Sequence, residues 1–122
     1  MKFSASQFSG NMINQWSPDQ IMVNHQSYQQ HMIIAPNYLN ADWRVESFAQ
    51  LDIANLTPFF ELKPDIIILG SGEKQSFPPQ SLFMAILKKG IGLEVMSSAA
   101  ACRTYNVLAS EGRHVIAGIM LG

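Results

Sequence analysis

The sequence predicts a small layered α/β domain, with an N-terminal β-hairpin leading into a C-terminal half that reads β-α-β-α-β. Three observations carry this expectation. Four consecutive aliphatic residues, Ile66 to Leu69, stand between Asp65 and Gly70, as in a strand covered on both faces. Two helical stretches with start and stop signals follow, each trailed by another strand-like run. Finally, 48% of the 122 residues are hydrophobic, enough for one core without help from a metal or disulfide. A single domain over residues 1–122 is expected.

In chain order, residues 1–18 show no sustained periodicity and read as a loosely ordered lead-in. Ile21, Val23 and His25 then alternate with polar residues, and a second run, His31 to Ala35, ends at Pro36. Asn24 to Ser27 offer turn chemistry, so these two runs are expected to pair as the hairpin. Trp43 to Val45 is a candidate for a short third strand. Asp52 can cap a brief helix whose Ile53, Leu56, Phe59 and Phe60 fall at helical spacing, limited by Pro58 and Pro64. Ile66–Leu69 is then the central strand.

Pro78 and Pro79 are placed to start a helix in which Leu82, Phe83, Ile86 and Leu87 make one apolar stripe. Lys88 and Lys89 complement the C-terminal dipole and Gly90 stops the helix. Gly92 to Met96 forms a strand, Ser98 to Glu111 a helix closed by Gly112, and His114 to Leu121 a last strand. Strand, crossover helix and strand imply parallel pairing with right-handed connections. The pattern leaves the direction of the final strand open.

Composition excludes several function classes. Eight basic against nine acidic side chains give a formal charge of −1, without the basic excess that binding to a phosphate backbone needs, so no nucleic acid partner is expected. One cysteine excludes an internal disulfide and a zinc ribbon. The longest apolar run, Leu82 to Leu87, falls far short of the roughly 20 residues of a bilayer span, so no membrane span is expected. The first residues lack the apolar stretch of a secretory signal. The expected location is cytoplasmic, although a mature mitochondrial protein would look the same.

The candidate site lies at two strand exits. Gly70-Ser71-Gly72 follows the central strand and resembles the first half of a dinucleotide fingerprint, but Gln75 stands where a third glycine belongs. Ser97-Ser98 opens the last helix, where a hydroxyl can cap and free N–H groups attract anions. Both lie at carboxyl ends of predicted parallel strands, where ligands of open α/β sheets collect. Gly70, Ser71, Gly72, Ser97 and Ser98 are therefore expected to border one cleft, with a tight strand exit and a helix cap as the first reading and an anion site, assisted by Arg103 if it curls back, as the alternative.

Cys102 falls on the margin of the buried helix face, with Ala101, Tyr105, Leu108 and Ala109, and is expected to pack as a small hydrophobe. Arg103 points about 100° away from it around the helix. His25, His31 and His114 have no metal-ligand spacing, and no serine or carboxylate pair has a catalytic frame. His25 is expected to serve the hairpin turn and Glu94 to face water. No catalytic residue, metal or cofactor is expected.

The stretch "GIGLEVMSSAAACRTYNVLASEGRHV", with Val23-Asn24, Tyr28, Pro36, Trp43, Leu69-Gly70-x-Gly72 and Phe77-Pro78, resembles the small-domain family of mitochondrial complex I assembly factor 3 and the adipogenesis-associated protein, which has many bacterial and archaeal relatives. The likeness covers most of the chain. It implies a compact three-layer fold with a central mixed sheet, no established activity or cofactor, and roles in assembly or interaction. Members usually carry Met-Asp-Thr where this chain has Met96-Ser97-Ser98, and Thr where it has Ser71. Losing that aspartate removes the carboxylate best placed for acid–base chemistry.

Two functions are therefore expected to compete. The first is a non-enzymatic interaction or assembly domain with a protein partner, a homo-oligomer included, and with Phe3, Phe8 and Trp16 as candidate contacts. The second is a small-molecule or anion-binding domain, enzymatic or not, using the cleft beyond Gly70–Gly72 and Ser97–Ser98.

Overall fold

A computed structural model describes residues 8–122. Eight strands and three α-helices form two sheets: β1 (Ile13–Ser17), β2 (Gln20–Val23), β3 (Gln26–Tyr28), β4 (Met32–Ala35), β5 (Tyr38–Asn40), α1 (Thr57–Glu61), β6 (Ile66–Gly70), α2 (Gln80–Lys88), β7 (Gly92–Met96), α3 (Ser98–Ser110) and β8 (Val115–Ile119). The smaller sheet runs β1-β2-β3, the larger β5-β4-β8-β6-β7. β6 pairs parallel with both β7 and β8, whereas β4 pairs antiparallel with β8 and β5. The central sheet is thus mixed, and the final strand lies parallel to β6.

The larger sheet is the middle of three layers, and side-chain alternation along each strand sorts the core between its faces. Met32, Ile34, Ile68, Ala117 and Ile119 face α3 and the small sheet, meeting Ala101, Cys102, Tyr105, Ile13, Ile21 and Val23. Ile33, Ile67, Leu69 and Ile116 face the other way, against Trp43, Leu56, Phe59, Leu82 and Ile86. Each buried Ile, Leu, Val, Met or Phe among them contributes about 1.5–3 kcal/mol. No helix among the described residues is long and apolar enough to cross a membrane.

The N-terminal half departs from expectation in three places. First, the lead-in is partly structured. Residues 1–7 lie outside the described residues, but Ile13–Ser17 forms β1, paired antiparallel with β2 around an irregularity between Ile13 and Gln15. Second, the hairpin turn is where expected but its second strand is not. Asn24 and His25 both have positive φ (51° and 66°), the backbone of a two-residue primed turn, so the chain reverses at once into β3. The run His31–Ala35 belongs instead to the larger sheet, hairpinned to β5. Gln26-Ser27-Tyr28 carries too few apolar residues to announce a strand.

Third, Trp43–Val45 is not a strand. Trp43 acts as an anchor: its backbone N–H donates to His31 O (2.9 Å), its indole N–H to Asn55 O (3.1 Å), and its ring tilts at 58° against Phe59. Gly118 makes room for it, since a Cβ there would stand 2.7 Å from Trp43 Cζ3 and 2.8 Å from Phe59 Cζ.

The helices follow their signals more closely. Asp52 and Asn55 form a reciprocal capping box over a 3₁₀ turn, Ile53–Leu56, which runs into α1 with Pro58 in its first turn, not at its end. Along α2 the apolar stripe is wider than the core requires. Leu82 and Ile86 are buried, Phe83 is half-buried and Leu87 is exposed.

Candidate functional site

Both strand exits lie on one rim, as their positions after β6 and β7 require. Ser98 N donates to Gly72 O (2.8 Å), Gly72 N donates to Ser98 Oγ (2.8 Å), and Ser98 Oγ donates to Met120 O (2.7 Å). Ser98 is fully buried. Gly70 lets α3 come this close, because a Cβ on it would meet Ser98 Cα and Oγ at 2.9 Å and Ala101 Cβ at 3.0 Å. Gly72 adopts φ +106°, which suits glycine, and a Cβ there would stand 2.6 Å from Gly122 O.

The other hydroxyls also bond to the chain. Ser71 Oγ donates to Lys74 O (2.7 Å) and accepts from Ser76 N (3.0 Å), shaping the loop after β6. Ser97 is the N-cap of α3, accepting from Ala100 N over a long 3.4 Å. Gly70, Ser71, Gly72, Ser97 and Ser98 are therefore assembled together, and the polar groups of Gly72 and Ser98 bond to one another across the junction.

Arg103 is placed elsewhere. It stands about 140° around α3 from Ser98, exposed, on a crevice of about 250 Å³ between α3 and β1 lined by Ile13, Asn14, Gln15, Trp16, Ala99, Cys102 and Asn106. Asn106 holds that junction as a backbone mimic, accepting from Ile13 N (2.9 Å) and donating to Ile13 O (2.8 Å). Tyr105 OH, whose pKa burial pushes up, donates to Asn11 O (2.9 Å). Neither role is visible in the sequence, because the partners lie some ninety residues upstream.

Cys102 is buried among the aliphatic side chains of the core, and desolvation pushes its thiol up to about 12, against a smaller opposing pull from the Arg103 charge. A thiol so protonated is a packing group, not a nucleophile. Among the described residues no cluster of His, Cys, Asp or Glu could hold a metal ion.

Residues 120–122 knit four elements together. Met120 O accepts from the Trp16 indole (3.1 Å) as well as from Ser98, Leu121 N donates to His31 Nδ1 (2.9 Å), Gly122 N donates to Pro18 O (3.0 Å), and Glu73 N donates to Gly122 O (2.7 Å). Burial lowers the His31 pKa, so the ring is held neutral with its Nδ1 accepting. His31 also borders a larger depression, about 650 Å³, lined by Asp42, Arg44, Glu46 and Asp52 among others. Its charged groups are largely solvated, and the Arg44–Asp42 pair (3.1 Å) is exposed.

The exposed apolar side chains are unevenly distributed. Among the described residues, Ile53, Leu62, Phe77, Met84, Leu87 and Val107 are large and exposed, Phe77 most of all at 74%. Five of them sit in or beside the α1–α2 layer; Val107 alone is on α3. Of the contacts expected from the lead-in, Phe8 and Trp16 pack partly buried against the core, and Phe3 lies outside the described residues.

Comparison with known proteins places these features in context. The family described as "Protein of unknown function (DUF498/DUF598)" matches residues 13–120. A Francisella tularensis protein named "13 kDa major membrane protein" is 32% identical over 95 residues, covering 77% of each chain. The Danio rerio NADH dehydrogenase (ubiquinone) 1 alpha subcomplex assembly factor 3 is 26% identical over 114 residues, 92% of this chain but 65% of that protein. The NMR structure of a Xanthomonas campestris protein superposes with a TM-score of 0.84 at 43% identity, over 92% of this chain and 85% of that one.

Proposed function

As the chain belongs to the family described as a protein of unknown function (DUF498/DUF598), we propose that it is a non-enzymatic, assembly-factor-like domain that holds a protein partner against its α1–α2 layer. The observation that carries this reading is the asymmetry of exposed apolar surface, five large side chains on one outer layer against one on the other. Leu82 and Ile86 face the sheet, helical spacing turns Met84 and Leu87 away from it, and the exposed Phe77 lies just before the helix in sequence. Apolar side chains grouped in this way mark interaction surfaces. The inert thiol and the internally bonded serines support a domain without catalytic chemistry. The near-neutral charge favours protein over nucleic acid, and the proposed compartment is the cytoplasm.

A comparison of surface variants tests the reading. The tagged chain, its Phe77→Ser/Leu87→Ser double variant and a Val107→Ser variant are used for cross-linked capture from native extract, with circular dichroism confirming that each is folded. A stoichiometric companion recovered by wild type and Val107→Ser but lost from the double variant is the expected result. Equal recovery by all three would overturn the assignment of the surface.

A further inference from the structure

The crevice between β1 and α3 is separate from both the serine–glycine junction and the apolar α1–α2 layer. Trp16 and Ala99 supply its accessible apolar lining, and Ile13 and Cys102 lie behind them, each almost wholly buried. The rest of the lining is polar: Asn14, Gln15, Arg103 and Asn106, with no acidic residue. The irregular register between Ile13 and Gln15 lies at its wall, and such bulges re-aim side chains next to sites.

The hydrogen-bond inventory gives the crevice a sign. The ion pair found among the described residues is Arg44–Asp42, which leaves Arg103 without a carboxylate there. Residues 1–7, MKFSASQ, contain no acidic side chain that could supply one. Asn14 uses its carbonyl oxygen to accept from His25 N (2.7 Å), leaving its amide N–H groups as donors. Asn106 is committed in both directions to Ile13. What faces an incoming group is therefore a guanidinium and carboxamide N–H donors beside the Trp16 ring.

We propose that this crevice binds a small organic carboxylate, its charge paired with Arg103 and its short hydrocarbon body lying against Trp16. The planar guanidinium fork matches a carboxylate in two parallel bonds. A volume of about 250 Å³ is below that of a pocket for drug-sized ligands and suits a body of a few carbons. A free inorganic anion would leave the Trp16 ring unused, and a cation would meet the guanidinium.

The two tryptophans make the test direct. Trp16 lines the crevice with its indole N–H bonded to Met120 O, whereas the Trp43 indole N–H is bonded to Asn55 O on the opposite face of the sheet and serves as an internal control. Butyrate is titrated into the isotope-labelled protein to tens of millimolar while nitrogen–proton correlation spectra are recorded, with inorganic phosphate and butylammonium as comparison arms. A saturable displacement of the Trp16 indole and the Asn14 and Gln15 amides is expected with butyrate, while Trp43 stays fixed. In Arg103→Gln, which alters an exposed side chain and leaves the fold intact, that displacement is lost. The proposal is overturned by the absence of saturation, by an equal response in Arg103→Gln, or by an equal response to phosphate or butylammonium.

Discussion

Replacing Ser98 with alanine tests the junction on which the rim of the sheet depends. The hydroxyl is wholly buried, accepts from Gly72 N at 2.8 Å and donates to Met120 O at 2.7 Å. Alanine leaves the Gly72 N–H buried without a partner, which costs about 1–3 kcal/mol. Met120 O keeps the Trp16 indole N–H at 3.1 Å, so losing the second bond adds about 1 kcal/mol. The better helix propensity of alanine returns a few tenths of a kcal/mol at most. The net loss is about 2–4 kcal/mol, a fall in Tm of roughly 10 °C for a domain of this size. Urea unfolding followed by circular dichroism measures it, and the m value should stay unchanged. Ser97→Ala is the control: its hydroxyl caps α3 over 3.4 Å, and its loss should cost about 0.5–1 kcal/mol. A Ser97→Ala loss as large as that of Ser98→Ala, or a Ser98→Ala variant within about 0.5 kcal/mol of wild type, would refute the reasoning.

Other elements give comparable tests. His31 accepts from Leu121 N and has its pKa lowered from 6.5 by burial, so the unfolded chain binds the proton more readily; the contribution of the neutral ring is present above that value and is lost as pH falls through it towards the lower folded pKa. His31→Asn, which keeps an acceptor in place, should flatten the stability profile between about pH 7 and pH 5, and an unchanged slope would count against the pin. Cys102, held at about 12, should react with a thiol reagent at mildly alkaline pH only as fast as the protein opens, whereas rapid stoichiometric labelling of the native state would show the sulfur to be accessible. Asn106→Ala removes both bonds to Ile13 and should cost about 2–3 kcal/mol, with faster hydrogen exchange at the Ile13 amide as its local signature. Gly118→Ala would set a methyl 2.7 Å from the Trp43 ring and should cost about 1–3 kcal/mol, read by urea unfolding.

Legibility in the sequence followed the range of the forces involved. β6, α2, β7, α3 and β8 were readable because their signals are local: an aliphatic run, proline at a helix start, glycine at a helix end, serine at a cap. The mixed sheet and three layers came through the resemblance of whole motifs. The hairpin partner was misread because a two-residue turn at Asn24-His25 sends the chain straight into Gln26-Ser27-Tyr28, a strand with little hydrophobic signal. β1 was missed because long-range contacts hold it, Asn106 gripping Ile13 and Met120 gripping Trp16. At the candidate site, the adjacency of the Gly72 and Ser98 turns followed from topology alone. The position of Arg103 did not, since a sequence gives a helix phase but not which neighbouring strand occupies each side.

The α2 stripe shows how a partly mistaken packing expectation can carry functional information. A helix covering one face of a sheet needs an apolar arc of about 100°, and Leu82 and Ile86 fill it. Leu87 and Met84 lie beyond that arc and are only partly covered, 46% and 44% exposed. Neighbouring Lys88 and Lys89 show that polar residues are tolerated on the outer surface of the layer; Lys89 lies 4.7 Å over the Phe60 ring instead of joining an ion pair. Helix propensity and partial burial account for part of the choice of leucine and methionine there, but the area left open raises the risk of self-association. The proposed partner surface would cover what they leave open. Serine at both positions should cost about 1–2 kcal/mol through helix propensity and lost partial burial, well below the loss from truncating two core residues, while abolishing partner capture. A large loss of stability in that double variant would return these residues to the core and remove the physical basis for the proposed surface.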